Sequence, residues 1–561
     1  MFLPTTPEET RLLEWHELDV VLVTGDSYID SPCIGVSVIG KVLVQQGYRV
    51  GVIAQPDIHS GRDITRLGEP LLFWGVTSGS VDSMVANYTA SGKFRKHDDY
   101  TPGGQNIFRP DRAVIVYSNL IRHYFKPTVP IVLGGIEASL RRLPHYDCWS
   151  DAIRRSILFD AKADVLVYGM GEKAVVSLAG RIAHREHFTG INGICYISSM
   201  SRPDFIELDP YERVSKDSLA FSRMFQTFYE NSDPVTANGL CQKHADRYLV
   251  HNPPAAPLSQ AELDAVYDLN YERELHPYYQ KMGAVRALET IRFSITTHRG
   301  CYGECNFCAI AVHQGRMVQW RSQSSILREV KKITGHFGFK GIISDIGGPT
   351  ANMYGFECRK KKTEGACPHK RCLYPDVCKN LCVDHGRQIL LLAAIRRIKG
   401  VKHAFVASGI RYDIILADRK NGLNYLNQVV FHHTSGQMKT APEHTESDVL
   451  SLMGKPGPDR LLAFKRLFDK VAESSGKSLF LTYYFMAAHP GCTQSHMHRL
   501  KEFISRHLHL VPEQVQIFTP TPSTISTAMY YTGLCPETEE FVFSEKRLKS
   551  RDVQKQMLLK R

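Results

Sequence analysis

No stretch of this chain approaches the ~18 consecutive apolar residues that a membrane-spanning helix requires. That absence argues against a helical membrane protein, and no membrane partner is expected. Residues 1–17 are polar and acidic and lack the basic flank and apolar centre of a secretory signal. No G-x-G-x-x-G run follows the first apolar stretch, so support for a dinucleotide site is weak. The two distant C-x2-C pairs usual for zinc knuckles are also missing from the main thiol cluster.

What is present is an ordinary globular composition, 43% apolar and 22% charged, with material for a large core and several domains. Fourteen cysteines without a signal point to a reducing compartment, so a cytoplasmic location is expected. The net charge of +12 permits nucleic acid as a partner without establishing it.

The N-terminal third alternates apolar runs with a helical pattern. Residues 19–24 predict a buried strand, 35–46 a helix and 48–53 a second strand; 114–118, 130–134 and 165–169 predict further strands. Glycines at predicted strand ends (Gly25, Gly75, Gly134, Gly169) suit an open, mostly parallel sheet, whose ligands sit beyond the carboxyl ends of its strands. The segment 138–151, A-S-L-R-R-L-P-H-Y-D-C-W-S-D, predicts either a pocket lining or a helix end with solvated arginines. We expect an α/β domain over 1–190, a connecting region over 191–285, a second α/β domain over 286–535 and a basic C-terminal tail over 536–561. The tail is expected as an amphipathic helix or a loose arm.

The second domain opens on R-G-C-Y-G-E-C-N-F-C (299–308), which sets Cys301, Cys305 and Cys308 within eight residues. Closely spaced thiolates hold iron or zinc because each sulfur reaches one point without long loop closure. Three thiols are one ligand short of a closed four-thiolate cluster. A Cys3His zinc site, with His298 or His313 as fourth ligand, is the alternative. From residue 291 onward six apolar runs predict strands: 291–296, 341–345, 403–407, 426–432, 478–486 and 514–518, separated by helical stretches. Between the second and third lies an insertion, 358–385, with Cys358, Cys367, Cys372, Cys378 and Cys382, and His369 and His385 nearby. Its polar neighbours, such as Lys360, Lys361 and Lys362, predict a staple, either zinc or an auxiliary iron–sulfur cluster.

C-Y-G-E-C-N-F-C, with aromatic Phe307 before the third cysteine, resembles the radical S-adenosylmethionine (SAM) signature. Together with T-G-D-S-Y-I-D-S-P (24–32), V-L-G-G-I-E-A-S-L-R-R (132–142), K-T-A-P-E-H (439–444) and T-P-T-P-S-T-I-S-T-A-M-Y-Y-T-G (519–533), it makes the chain resemble the YgiQ (UPF0313) family. The resemblance implies an N-terminal open parallel sheet of cobalamin-binding type, followed by a partial (β/α)6 radical SAM barrel. It implies a [4Fe-4S] cluster on Cys301, Cys305 and Cys308 whose open iron takes the amino and carboxylate groups of SAM. Reductive cleavage would then give a 5′-deoxyadenosyl radical that abstracts hydrogen from a substrate. Gly347 and Gly348 match the glycine pair that binds the SAM amino group, with Pro349 in place of the usual acid. Ser408 and Arg411 become candidates for the ribose or carboxylate of SAM or for the substrate, Lys439 for the SAM carboxylate, and Glu443 for its ribose or ammonium group. A flavodoxin- or ferredoxin-type reductant is expected, and the substrate is open among RNA or protein to be methylated, methylthiolated or rearranged. Cobalamin itself is expected to be unlikely: the D-x-H-x-x-G element that cobalamin-binding domains of this kind often carry is approached by Asp57-Ile58-His59-Ser60-Gly61, which is one residue short and follows the second strand. The competing class is a non-catalytic zinc or iron–sulfur protein that binds nucleic acid.

Overall fold

The computed structural model describes residues 1–368 and 370–559; His369 lies outside the described residues. The chain divides into two compact units, Met1–Leu258 with Ala265–Arg292, and Ser259–Asp264 with Phe293–Arg561.

The first unit is built on nine strands: β1 Val20–Thr24, β2 Val50–Ala54, β3 Phe73–Thr77, β4 Ile131–Leu133, β5 Val165–Val167, β6 Ile194–Ser198, β7 Ile206–Leu208, β8 Leu240–His244 and β9 Arg247–His251. They form one sheet in the order β7-β8-β9-β6-β5-β4-β3-β1-β2. The run β2-β1-β3-β4-β5 is parallel, with Val20 opposite both Val50 and Phe73. V-V-L-V-T in β1 is buried at every position, as expected of a strand covered on both faces. Helices α1 Gly35–Gln45, α2 Ala113–Tyr124 and α3 Glu172–Ala183 belong to the same unit.

Three sequence expectations change here. The run 114–118 is helix, because it continues into a twelve-residue element whose Val114, Tyr117, Ser118 and Ile121 share a buried face at helical spacing. The third strand, F-W-G-V-T, was not foreseen; Gly75 lies inside it with the Leu22 side chain packed where a Cβ would be. The region 191–285 is more than a connection, since β6–β9 extend the sheet with antiparallel pairs.

The arginines of 138–151 are not solvated. Arg141 is buried and pairs with Asp82. Arg142 is 1% exposed, lies between the rings of Tyr168 (4.5 Å) and Phe228 (4.7 Å), and donates through Nε to His251 Nε2 at 3.0 Å. Beyond the end of β1, Asp26 pairs with Arg109 (2.8 Å), which also pairs with Asp98 (2.9 Å), all buried. His59 is exposed, and its backbone N–H donates to the Asp57 carboxylate at 2.9 Å.

The second unit carries parallel pairs in chain order. β10 Ser294–Thr296 pairs with β12 Asp345–Gly347, and β11 Ile342–Ile343 pairs with β13 His403–Ala404. β14 Gln437–Glu443, β15 Phe480–Ala487 and β16 Gln514–Ile517 make a three-stranded sheet. A parallel bridge between Ile410 and Thr440 links the β13 segment to β14. Helices alternate with these strands, among them α4 Gln323–Thr334, α5 Arg359–Glu364, α6 Gly386–Arg396, α7 Tyr412–Ala417, α8 Gly422–Gln428, α9 Ser447–Met453 and α10 Pro458–Ser474.

The fourth strand differs from expectation. Residues 426–432 fall in α8 and a following wide turn, Val429–His433, while the strand is β14, which contains K-T-A-P-E. A short apolar run reads equally well as buried helix or strand. Pro442 tolerates its place in β14 because the register shifts between Thr440 and Glu443 there. The expected tail carries α11 Leu548–Leu559, which is docked: Arg551 donates to the Phe518 carbonyl, and Gln554 accepts the Ala488 N–H at 2.8 Å.

Candidate functional site

The thiol loop leaves β10 and runs through Cys301, Cys305 and Cys308, which are all half-buried. Gly303 sits at the centre of this loop. A Cβ there would lie 3.1 Å from Arg411 Nη1, 3.2 Å from Cys301 Sγ and 3.6 Å from Cys305 Sγ, so guanidinium and thiols converge on one point. Cys301 Sγ also accepts the Gly303 N–H at 3.3 Å and meets Thr350 Oγ1 at 3.6 Å. Arg411 Nη1 reaches Cys305 Sγ at 3.6 Å. Burial raises the Cys301 pKa and pushes Cys308 up to about 12, with the neighbouring Cys305 adding to both. Without a metal these two thiols favour the neutral form, so loading the site must release protons.

Arg411 is fixed by one local partner and one long-range partner. Its Nε and Nη2 form a fork on Asp413 at 2.8 and 2.5 Å. Asn352 accepts the Arg411 N–H (2.9 Å) and donates to its carbonyl (3.0 Å). Asn352 Nδ2 also meets His385 Nε2 at 3.4 Å, and His385 Nδ1 meets Asp418 at 2.7 Å. These partners assign the His385 proton to Nδ1 and leave Nε2 as acceptor. The chain Asp418–His385–Asn352–Arg411 thus orients one cation at the thiols. Spacing in the sequence could not reveal it, because its members lie 33 and 59 residues apart.

The loop is held from other sides too. Asn306 N–H donates to the Met453 carbonyl and its side chain to Leu452, at the end of α9. The Asn306 carbonyl accepts the Ser526 N–H (2.9 Å) from α12 Ile525–Thr532. Glu304 is buried and ion-paired with Lys361 of α5, while Arg371 donates to the Glu304 carbonyl (3.2 Å) and to Asn306. Burial pushes the Glu304 carboxyl up, but Lys361, Arg316 and Arg371 together hold it below its ordinary range. Phe307 meets the His489 ring edge-on at 6.1 Å.

The other candidates separate on inspection. The Gly347 carbonyl accepts the Thr297 N–H at 2.7 Å. At Gly348 an added Cβ would lie 2.6 Å from His298 Nε2, so glycine is required there by packing. His298 itself is buried, with Nε2 on the Thr350 carbonyl at 3.0 Å and a pKa lowered to about 4 by burial; it is not aimed at the thiols as a zinc ligand. The Ser408 hydroxyl is engaged by Asp345, which also takes the Ser408 and Ala407 N–H groups. Glu443 has φ 68° and a pKa raised by burial, with Lys455 3.9 Å away. The Lys439 carbonyl accepts the Ile410 N–H at 2.9 Å, and its side chain is half-buried.

Three soft thiols beside a buried guanidinium fit a thiophilic metal or an iron–sulfur cluster. Among the described residues, the one set of three Cys, His, Asp or Glu ligand atoms all within 4.8 Å of one another is Glu446, Asp448 and His496.

A matching class emerges from comparison with known proteins. The radical SAM N-terminal family model matches residues 2–294, just over half the chain, so this is a radical SAM protein. More narrowly, the chain belongs to the UPF0313 family. It is 55% identical over 546 residues to a UPF0313 protein of Fusobacterium nucleatum, spanning 97% of this chain and 96% of that one. It is 52% identical over 564 residues to a UPF0313 protein of Thermotoga neapolitana, spanning 100% and 98%. The fold is also similar to that of the cobalamin-dependent S-adenosylmethionine radical enzyme OxsB with aqua-cobalamin bound: TM-score 0.50, 12% identity, 92% of this chain and 56% of that one. That likeness overturns the expectation that cobalamin is unlikely, which rested on the shortened 57–61 motif alone. A fold of this kind carries the cofactor in OxsB.

Proposed function

We propose that this protein is a radical SAM enzyme whose Cys301, Cys305 and Cys308 hold a [4Fe-4S] cluster. The observation that carries the reading is the convergence of two thiols and the Arg411 guanidinium on Gly303, next to a third thiol. The parallel strands β10 to β16 are consistent with a partial barrel, and the thiol loop and the Asp345–Thr350 turn leave its strands at their carboxyl ends, where such barrels place chemistry. When bound, the cluster would supply the electron that cleaves SAM and releases a 5′-deoxyadenosyl radical.

The chain's own residues hold and orient. Arg411, locked by Asp413 and Asn352, places positive charge against Cys305 and offsets thiolate charge. Gly347 and Gly348 are the groups assigned to the SAM amino group. Lys439 and Glu443 at the end of β14 are the groups assigned to the SAM carboxylate and ribose or ammonium. A small flavodoxin- or ferredoxin-type protein is the reductant, and the cytoplasm, which keeps thiols reduced, is the location.

Anaerobic reconstitution with iron and sulfide, followed by reduction in the presence of SAM, tests this. The expected result is a brown protein that releases 5′-deoxyadenosine, and a Cys305→Ala variant that does not. A colourless zinc protein that leaves SAM intact and binds RNA with steep salt dependence would replace the enzyme with a nucleic-acid module. Hydroxocobalamin is included in a parallel reconstitution, where corrinoid absorbance retained after desalting reports binding.

A further inference from the structure

The insertion between β12 and β13 gathers its cysteines rather than scattering them. Cys358 caps α5, its sulfur accepting the Lys361 N–H at 3.4 Å. Cys372 lies 3.8 Å from Lys361 Nζ, and its carbonyl accepts the Cys378 N–H at 2.8 Å. Cys358 and Cys372 pack in one apolar cluster with Tyr302, Phe356, Leu373 and Leu381, and Cys301 packs against the same cluster. Cys367 is half-buried and Cys382 exposed. None of the five is part of a disulfide.

This arrangement has no use in the site already described. The cluster thiols are Cys301, Cys305 and Cys308, and the cation aimed at them is Arg411. Lysine-rich sequence around five thiols is poor material for a core: Arg359, Lys360 and Lys362 all face solvent. Two sulfurs packed in one apolar cluster beside the Lys361 ammonium, a third cysteine bonded through its backbone to one of them, and two more cysteines in the same insertion form a donor set for a thiophilic metal.

We propose that Cys358, Cys372 and Cys378 hold a second, thiolate-bound metal centre, either an iron–sulfur cluster or a single zinc ion, with Cys367 or Cys382 completing the shell. Lys361 joins the two centres physically, since it touches the Cys372 thiol and pairs with Glu304 inside the first thiol loop.

The test separates this centre from the first. A Cys301→Ala, Cys305→Ala, Cys308→Ala variant is purified anaerobically, and its iron, zinc and acid-labile sulfide are counted per chain. The expected result is metal at or above one equivalent. Iron with matching sulfide identifies a cluster, and zinc without sulfide identifies a single ion. Adding Cys372→Ser and Cys378→Ser is expected to abolish it. A metal-free triple variant, or metal unchanged by the added pair, overturns the proposal. A second arm uses the unaltered protein. Cys358, Cys372 and Cys378 should resist iodoacetamide until a chelator is added, as read by peptide mass. Full labelling without chelator, or a mass showing these thiols joined as disulfides, overturns it as well. Loss of 5′-deoxyadenosine production by the parent protein would instead count against the radical SAM reading and leave these metal counts interpretable.

Discussion

Arg411 is the residue on which the site's electrostatics turn. Its fork on Asp413 uses the planar guanidinium, and a lysine cannot reproduce two parallel donors while also reaching Cys305. Arg411→Lys is therefore expected to cut iron and sulfide retained after reconstitution by more than half, while the far-ultraviolet circular dichroism stays unchanged. Farther along the same chain, burial pushes the Asp418 carboxyl up, but the His385 side chain and the backbone N–H groups of Asn421 and His385 outweigh it and hold the pKa at about 2. A carboxyl lowered on folding stabilises above its unfolded value of about 3.9, and that contribution disappears as pH falls through about 2. The shift corresponds to about 2.6 kcal/mol. Asp418→Asn should lower the melting temperature at pH 7 and flatten the loss of stability between pH ~4 and ~2, as followed by thermal melts across pH. The three thiols were legible in the sequence because their spacing is local. Asp413, Asn352, His385 and Asp418 were not legible as a unit, because only the folded chain brings them together.

At the level of single elements, reading was best where a run was long or bounded by glycine. β1, α1, β2 and the glycine turn after β12 fall where hydrophobic runs and turn residues put them. The strand expected at 114–118 and the one expected at 426–432 failed for one reason: short apolar runs carry no period of their own, and their neighbours decide. β14 was missed because K-T-A-P-E contains a proline and little aliphatic content, and its strand geometry is imposed by β15. The C-terminal segment shows the converse, a polar helix whose docking depends on two buried side chains. Gln554 accepts the Ala488 N–H and donates to the Cys492 carbonyl. Gln554→Ala leaves these groups unpaired and is expected to cost about 1–3 kcal/mol, read as a lower denaturation midpoint with an unchanged slope.

For the molecule as a whole, the sheet of the first unit and the strand series of the second were both visible as alternating strands and helices. The extent of the first unit was underestimated, because β6–β9 are short and partly polar and read as irregular chain. The second unit contains the thiol loop, so its stability should respond to cofactor. SAM at 100 times its dissociation constant is expected to add about 2.7 kcal/mol to unfolding of the reconstituted protein. Calorimetry should show that increment as a higher melting temperature, and Cys308→Ala should remove it.

The loop from Cys301 to Cys308 is pinned by α5, by α9 and by α12 through bonds that involve no metal. A cluster of the kind proposed would therefore meet a finished socket and would not have to order a floppy chain. The entropy of arranging the ligands has already been met by folding. Loading should behave as a simple docking event, fast to reverse under chelation and leaving the polypeptide intact when the inorganic part is stripped away.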